Sequence, residues 1–258
     1  MKYGVCSDAK AAADLAAAGF DYIELNVQSH LKPAEPDDVF AAELQTIQAS
    51  ALPCSAANCF IPGTLKITGP AVESEKLRDY VATACVRARR AGIRTIVWGS
   101  GAARQIPEGF SREAAYRQLA AFAAMAGDAA RRESLVIVVE PLNQSECNVF
   151  NKVGECAQFV REVDHPQIRL LVDAYHWAQD QDSVDDLVAA APLLHHAHIA
   201  TYQSRLAPSL EPCDFAPFFG ALKQGGFDGR ISVEGRWNNI ATDAAKALEA
   251  LKQAARGS

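Results

Sequence analysis

Apolar runs alternate with longer amphipathic stretches from one end of the chain to the other. The segment from Leu135 to Val139 is continuously apolar, which is typical of a parallel strand covered on both faces. The apolar runs predict eight strands, at residues 3–6, 22–27, 54–60, 95–99, 135–140, 169–173, 195–200 and 230–234. The amphipathic stretches predict eight helices, at residues 9–18, 37–50, 73–91, 111–132, 152–163, 183–190, 214–224 and 242–255. Strand and helix therefore alternate as repeated β-loop-α units.

This alternation predicts an α/β protein with eight similar units. Dividing 258 residues by eight gives about 32 residues per unit, close to the smallest unit of a (β/α)8 barrel. No linker or break in composition divides the chain, so we expect one domain over residues 1–258. We expect a single (β/α)8 barrel with its active site at the carboxyl-terminal rim of the strands. An open, doubly wound sheet is the structural alternative, but no dinucleotide fingerprint and no Walker-type phosphate loop is present.

Composition and charge exclude several classes of protein. The chain is 49% hydrophobic and 22% charged, as expected of a globular protein with a sizeable core. Its 31 acidic and 25 basic residues give a net charge of -6, which disfavours nucleic acid and anionic membranes as partners. No apolar stretch approaches the roughly 18 residues of a membrane span, and the amino terminus lacks a secretory signal pattern. We therefore expect a cytoplasmic protein without a membrane partner.

Four successive predicted strands each carry a potential metal ligand at or near the carboxyl end. They are Glu140, Asp173, His198 and Glu234. Any one such carboxylate could instead cap a helix or pair with a basic neighbour. Together, three carboxylates on one rim would repel each other strongly, and a dication would relieve that repulsion. Three oxygen ligands with one histidine favour Mn, Mg or Co over a structural zinc site, although zinc stays open.

Other polar residues near the predicted rim have less defined roles. His176 follows Asp173 by three residues and is placed to contact a substrate above the metal. We expect His196 to pack in the barrel interior behind the site. Glu24 lies in the second predicted strand and either lines the site or caps a helix, while Asn143 is suited to hold the loop that carries Glu146.

Four motifs in this order and spacing resemble the xylose isomerase-like TIM barrels. The resemblance covers most of the chain and is nearest to ketose 3-epimerases of the D-tagatose 3-epimerase type and to hydroxypyruvate isomerases. The motifs are Glu140-Pro-Leu-Asn-Gln-Ser-Glu146, Leu171-Val-Asp-Ala-Tyr-His176, His196-Ala-His-Ile with Arg205 downstream, and Ile231-Ser-Val-Glu234.

The resemblance implies a role for each matching residue. One divalent ion, Mn most readily with Mg, Co or Zn as alternatives, would be bound by Glu140, Asp173, His198 and Glu234. The two glutamates of this set would also be the catalytic acid/base pair. Substrate contacts near the carbonyl end would come from Glu146, His176 and Arg205. The chain departs from the epimerases at Gln144, where they commonly have Arg, and in a slightly longer segment before Arg205.

Three functions follow as hypotheses from the residues and the resemblance. The first is a metal-dependent isomerase or epimerase of a small keto sugar, which removes a proton next to a carbonyl through a metal-stabilised enediolate. The alternatives are a lyase or deglycosidase acting on 3-keto sugars, and a sugar-binding barrel without catalysis. Apurinic endonucleases share the barrel, but their trinuclear zinc site needs more histidine ligands than this rim offers. The partner we expect is a small carbohydrate, and relatives commonly form homodimers or homotetramers.

Overall fold

Eight parallel strands close into one barrel in the computed structural model, which describes residues 1–257. Each strand pairs with the next along the chain, and the first pairs with the last. The strands are β1 (Lys2–Cys6), β2 (Tyr22–Asn26), β3 (Cys54–Asn58), β4 (Thr95–Trp98), β5 (Val136–Val139), β6 (Ile168–Asp173), β7 (Leu194–Ile199) and β8 (Arg230–Val233). This architecture confirms the predicted (β/α)8 barrel and excludes the open sheet.

Helices surround the barrel and cover the outer faces of the strands. Over residues 1–257 they are α1 (Ala12–Ala18), α2 (Asp37–Gln48), α3 (Ser74–Arg90), α4 (Gly101–Arg104), α5 (Arg112–Arg132), α6 (Val153–Val163), α7 (Ala174–Gln179), α8 (Val184–Ala190), α9 (Ala216–Gln224) and α10 (Ile240–Gly257). Neighbouring helices pack against each other around the ring, as α3 does with α5 and α1 with α10. None of the helices in this part of the chain has both the length and the apolar character needed to cross a bilayer.

Strand alternation divides the core into two layers. Ile96 and Trp98 of β4 belong to the large apolar cluster between strands and helices, whereas Val97 belongs to a smaller cluster with Val138 and Leu171. Successive side chains of a strand point to opposite faces, so this smaller cluster fills the inside of the barrel. On β7 the same rule sends His196 and His198 into the barrel interior, where both are fully buried.

The structure differs from the sequence predictions mainly at the rim. Strands β5 and β8 end one residue earlier than predicted, so Glu140 and Glu234 are the first residues after their strands. Sequence analysis missed α4, α7 and a π-helical turn at Val27–Leu31, and residues 9–11 form a 3-10 turn before α1. These segments are too short to show the helical period of apolar positions on which the predictions depend.

Candidate active site

The four predicted ligands meet at the carboxyl-terminal rim of β5, β6, β7 and β8. One ligand atom from each lies within 4.8 Å of the others, and the residues are Glu140, Asp173, His198 and Glu234. We call this group the rim cluster. Three of its side chains are buried, and that of Glu234 is 21% exposed. The structure therefore brings together all four positions that the strand-end pattern indicated.

Three of the four facing atoms in the rim cluster lack hydrogen-bond partners among residues 1–257, whereas Glu234 Oε2 accepts a hydrogen bond from Arg205. Glu140 Oε1, Asp173 Oδ2 and His198 Nδ1 are buried and unpaired. His198 Nδ1 lies 3.4 Å from Glu140 Oε1 and 3.3 Å from Glu234 Oε2. Buried polar atoms without partners are rare in proteins, and converging lone pairs repel each other unless a cation lies between them. Three carboxylate oxygens and one imidazole nitrogen fit a divalent ion such as Mn, Mg, Co or Zn.

Burial and nearby charges shift the pKa values of two rim-cluster carboxylates, Asp173 and Glu234, in opposite directions. Burial raises the pKa of Asp173 above its ordinary value. Burial also acts to raise the pKa of Glu234, but His198 and Arg205 outweigh it and lower that pKa to about 2. The Glu234 side chain is therefore ionised at neutral pH.

A buried polar network lies behind His198. Glu24 accepts hydrogen bonds from His198 Nε2 at 2.9 Å and His196 Nε2 at 2.7 Å, and Ser232 Oγ donates to it at 2.6 Å. Tyr22 continues the network with its hydroxyl 2.9 Å from Ser232 Oγ. Burial raises the pKa of Glu24, but the two histidines outweigh it and hold that pKa well below its usual range. Glu24 thus supports a rim residue from behind, rather than capping a helix.

The three residues that the resemblance assigns to substrate stand beside the rim cluster. Arg205 Nη1 contacts Glu146 Oε1 at 3.2 Å, and Arg205 Nη2 contacts Glu234 Oε2 at 2.9 Å. The His176 Nε2 atom lies 3.4 Å from Arg205 Nη2, 3.7 Å from Asp173 Oδ2 and 3.9 Å from Glu146 Oε2. These side chains therefore ring the mouth of the cluster, where a bound molecule would meet them.

Asn143 fixes the orientation of His176 and the loop that carries Glu146. Its backbone N–H donates to His176 Nδ1 at 3.3 Å, and its side-chain Nδ2 lies 2.9 Å from the same nitrogen. Because Nδ1 accepts these hydrogen bonds, the proton of a neutral His176 is on Nε2, facing the rim cluster. Asn143 Nδ2 also lies 3.4 Å from Glu146 Oε1, in agreement with the role expected for this residue.

The short helix α7 positions two residues of the site at once. Asp173 Oδ1 accepts a hydrogen bond from the backbone N–H of Tyr175 at 2.8 Å, which caps α7 and leaves Oδ2 free to face the cluster. The Arg205 guanidinium also stacks over the Tyr175 ring, with its central carbon 4.8 Å from the ring centroid. Arg205 itself has a left-handed backbone conformation, with φ of 51°.

Sequence analysis missed two residues that shape the space around the glutamates. Asn58, at the end of β3, donates from Nδ2 to Glu234 Oε1 at 2.7 Å. Gly99 follows β4, and a Cβ added there would overlap Glu140 Oε2. Asn58 ends the observed β3, but the predicted strand continues to residue 60, so the strand-end signal does not mark it. Nothing in the sequence links Gly99 to Glu140.

A third missed residue, Arg104 of α4, holds the backbone of Glu140. The Arg104 side chain is fully buried, and no carboxylate of residues 1–257 pairs with it. Its guanidinium donates hydrogen bonds to the carbonyl oxygens of Trp98 at 3.1 Å, Glu140 at 2.7 Å and Phe150 at 3.5 Å. Arg104 therefore joins the ends of β4 and β5 to the loop that follows β5.

The chain belongs to the family of xylose isomerase-like TIM barrels, whose model matches residues 12–254. An L-ribulose 3-epimerase from Methylomonas sp. is 29% identical over 269 residues, covering 95% of this chain and 90% of that protein. The crystal structure of D-allulose 3-epimerase from Methylomonas sp. with D-allulose has a TM-score of 0.83 and 25% identity, covering 98% and 96% of the two chains. Hydroxypyruvate isomerase from Escherichia coli is 23% identical over 163 residues, 62% of each protein. The resemblance to ketose 3-epimerases and hydroxypyruvate isomerases is thus confirmed, and these relatives are sugar epimerases and isomerases.

Proposed function

We propose that this protein is a divalent-metal-dependent epimerase or isomerase of a small keto sugar. The observation that carries the proposal is the convergence of Glu140 and Glu234, from β5 and β8, on one cluster with Asp173 and His198. A molecule bound at that cluster has one carboxylate on each side. Relatives that act on ketoses, among them the L-ribulose 3-epimerase, support the choice of substrate class.

The two glutamates have the geometry to move a proton off and onto carbon. Glu234 is ionised and takes a proton from the carbon next to the substrate carbonyl. The electron pair of the broken C–H bond forms a carbon–carbon double bond, and the carbonyl electron pair moves onto oxygen to give an enediolate. Glu140, which carries a proton taken from solvent, then gives that proton to the opposite face of the same carbon, which inverts it, and Glu234 releases its proton to solvent. Return of the proton to the adjacent carbon, with transfer of the hydroxyl proton to the former carbonyl oxygen, gives an aldose-ketose isomerisation.

The remaining side chains bind and orient the sugar. A divalent ion held by the rim cluster would supply positive charge to stabilise the negative charge that develops on the substrate oxygens. The guanidinium of Arg205 and the Nε2–H of His176 are donors for sugar oxygens, and Glu146 is an acceptor for sugar hydroxyls. Asn58 keeps Glu234 turned toward the cluster through its hydrogen bond to Oε1.

Proton exchange from solvent tests the proposal directly. The protein would be stripped with a chelator, reloaded with Mn²⁺ and incubated in D2O with a panel of ketoses and keto-glycosides, and the ion removed before proton NMR. We expect deuterium next to a carbonyl, at a position that distinguishes 3-epimerisation from 1,2-isomerisation. The variants Glu140→Gln and Glu234→Gln should each lower turnover by about 10²- to 10⁴-fold. Exposed Glu113 provides the matched control, and Glu113→Gln should keep wild-type turnover.

Other results would point to a different function. Unchanged turnover in Glu140→Gln and Glu234→Gln would contradict the two-base mechanism. Release of the aglycone from a keto-glycoside, without formation of an epimer, would identify a lyase or deglycosidase. A panel sugar that binds without any metal-dependent exchange would identify a binding protein.

A further inference from the structure

We propose that Glu24 is a positioning residue that fixes the tautomer and ring orientation of His198, so that Nδ1 faces the rim cluster as a metal ligand. The inference rests on the proposed function in assuming that the rim cluster binds a divalent ion. It assigns a role to a fully buried carboxylate that is not a member of the rim cluster.

Both carboxylate oxygens of Glu24 accept hydrogen bonds. Oε1 contacts His198 Nε2 at 2.9 Å. Oε2 contacts His196 Nε2 at 2.7 Å and Ser232 Oγ at 2.6 Å. A carboxylate only accepts hydrogen bonds, so each of these three atoms must carry the proton that it shares with Glu24.

The proton assignment at His198 determines what its other nitrogen can do. With the proton on Nε2, the Nδ1 of a neutral His198 has a free lone pair. That lone pair faces Glu140 Oε1 at 3.4 Å and Glu234 Oε2 at 3.3 Å, and Nδ1 has no hydrogen-bond partner. Metal-binding histidines commonly donate their second N–H to a carboxylate, which fixes the ring and makes the ligand nitrogen more basic.

Packing holds Glu24 itself in place. Tyr22, two residues earlier on β2, has its hydroxyl 2.9 Å from Ser232 Oγ, so β2 and β8 are joined beneath the rim. The Tyr22 ring occupies space that only a glycine at position 4 leaves open, because a Cβ at Gly4 would overlap it. Glu24 therefore cannot swing away from His198 without breaking a network that crosses the barrel interior.

Cys6 raises the possibility of a second metal group, which the hydrogen bonds argue against. Ligand atoms of Cys6, Glu24 and His198 lie within 4.8 Å of one another. An ion there would need the Nε2 lone pair of His198, yet that nitrogen is protonated and donates a hydrogen bond to Glu24 Oε1 at 2.9 Å. Burial also raises the pKa of the Cys6 thiol well above its ordinary value, so the thiol is neutral when no ion is bound. Support of His198 is thus the role that fits the contact of Glu24 Oε1.

Metal affinity measured by calorimetry with Mn²⁺ tests the proposal without an activity assay. Glu24→Gln keeps the shape of the side chain but cannot accept on both arms, and we expect Mn²⁺ to bind about 10- to 100-fold more weakly. The matched control is Ser232→Ala, which removes a hydrogen bond to Oε2 and leaves the bond between Oε1 and His198. Its Mn²⁺ affinity should stay close to that of the wild type. Circular dichroism melting would show that both variants are folded.

A second measurement needs no folded variant of Glu24. In the wild-type chain labelled with ¹⁵N-histidine and loaded with diamagnetic Zn²⁺, NMR should show His198 protonated at Nε2 and metal-bound at Nδ1. The His198 signals would be assigned by their loss in His198→Asn. A proton on Nδ1 and the metal on Nε2 would overturn the proposal.

The outcomes separate this inference from the proposed function. Wild-type Mn²⁺ affinity in Glu24→Gln would overturn the role of Glu24, as would equal losses in Glu24→Gln and Ser232→Ala, because equal losses would indicate a general effect of the network. Failure of the wild-type chain to bind Mn²⁺ or Zn²⁺ would instead contradict the proposed function. NMR of the metal-free chain would then still show whether the Nε2 proton of His198 faces Glu24.

Discussion

Two acidic side chains of the rim cluster, those of Glu234 and Asp173, have polar support from outside the cluster. Asn58 and Arg205 bind Glu234, and the backbone of Tyr175 binds Asp173 Oδ1. Arg205 also carries positive charge into the cluster, at 2.9 Å from Glu234 and 3.6 Å from Asp173. Such contacts direct the unpaired oxygens inward and reduce the repulsion between them. The geometry of the ligands is therefore set by the protein before any ion arrives.

Gly99 provides a sharp test of this geometry at a single residue. We expect Gly99→Ala to push the Glu140 carboxylate out of the rim cluster, because the new Cβ would overlap Oε2. The displaced atom is the end of a flexible side chain, so the variant should fold and melt nearly as the wild type does. Turnover and Mn²⁺ affinity should both fall at least tenfold, a loss comparable to that from removing a residue that orients a ligand.

Gly220 is the matched control for that substitution. It lies in α9, and a Cβ added there would meet no atom within 4 Å. Gly220→Ala should leave turnover and Mn²⁺ affinity unchanged and raise the free energy of unfolding by roughly 0.5–1 kcal/mol, because alanine favours a helix over glycine. Equal activity of Gly99→Ala and Gly220→Ala would show that Glu140 tolerates displacement.

Sequence analysis could find the rim cluster because each member stands at or beside the end of an apolar strand. That pattern is local, and the closed barrel brings all the strand ends to one rim. The roles of Gly99 and Glu24 are different, because they depend on which side chain of another strand lies opposite. A single sequence contains no record of those contacts, so Glu24 could be placed near the site but not assigned to His198.

At the scale of elements, the long helices and the strands were predictable and the short rim helices were not. Helix α5 spans 21 residues, which gives several turns of helical periodicity, whereas α4 spans four and α7 spans six. A helix of one or two turns depends on its surroundings for stability rather than on its own sequence. Both short helices are held by rim residues, α7 by the cap from Asp173 and α4 through Arg104.

Arg104 of α4 holds the ends of β4 and β5 through the carbonyls of Trp98 and Glu140, and its removal should destabilise the fold. Arg104→Met leaves the carbonyls of Trp98 and Glu140 without the hydrogen bonds that a buried cation gives them. A hydrogen bond to a charged group contributes about 1.5–3 kcal/mol, so we expect the free energy of unfolding to fall by roughly 3 kcal/mol or more. Urea unfolding followed by circular dichroism would measure the change.

Arg112 offers a matched control on the surface. Its guanidinium also donates to a backbone carbonyl, that of Asn148, at 3.2 Å, but the side chain is exposed to water. Arg112→Met should change the free energy of unfolding by no more than about 0.5 kcal/mol. A similar small change in Arg104→Met would mean that water or a neighbouring group replaces the buried guanidinium.

At the scale of the whole molecule, an ion bound at the rim would join four consecutive strands of the barrel. Any ligand that binds only the folded chain stabilises it, by about 2.7 kcal/mol at a concentration 100 times the dissociation constant. For a chain of this size each kcal/mol corresponds to about 2–4 °C. We therefore expect saturating Mn²⁺ to raise the melting temperature by roughly 5–10 °C, and a chelator to reverse the rise.

Calorimetric melting of two aspartate variants tests the origin of that shift. Asp173→Asn removes one negative charge from the rim cluster and should abolish most of the rise in melting temperature with Mn²⁺. Asp79→Asn changes an exposed aspartate of α3 and should keep the full rise. If both variants kept it, the ion that stabilises the chain would be bound elsewhere.

The pairing of β1 with β8 also sets an order in time. During synthesis the barrel cannot close until β8 has left the ribosome. Strand β1 is made before the other strands and stays unpaired with β8 until then. Long-range pairing of this kind is slow to form compared with local contacts. Glu234 directly follows that last strand, so the fourth side chain of the rim cluster arrives when the ring closes. An unfinished chain therefore holds only an incomplete ligand set, and newly made protein gains its full set in the same step that completes its fold.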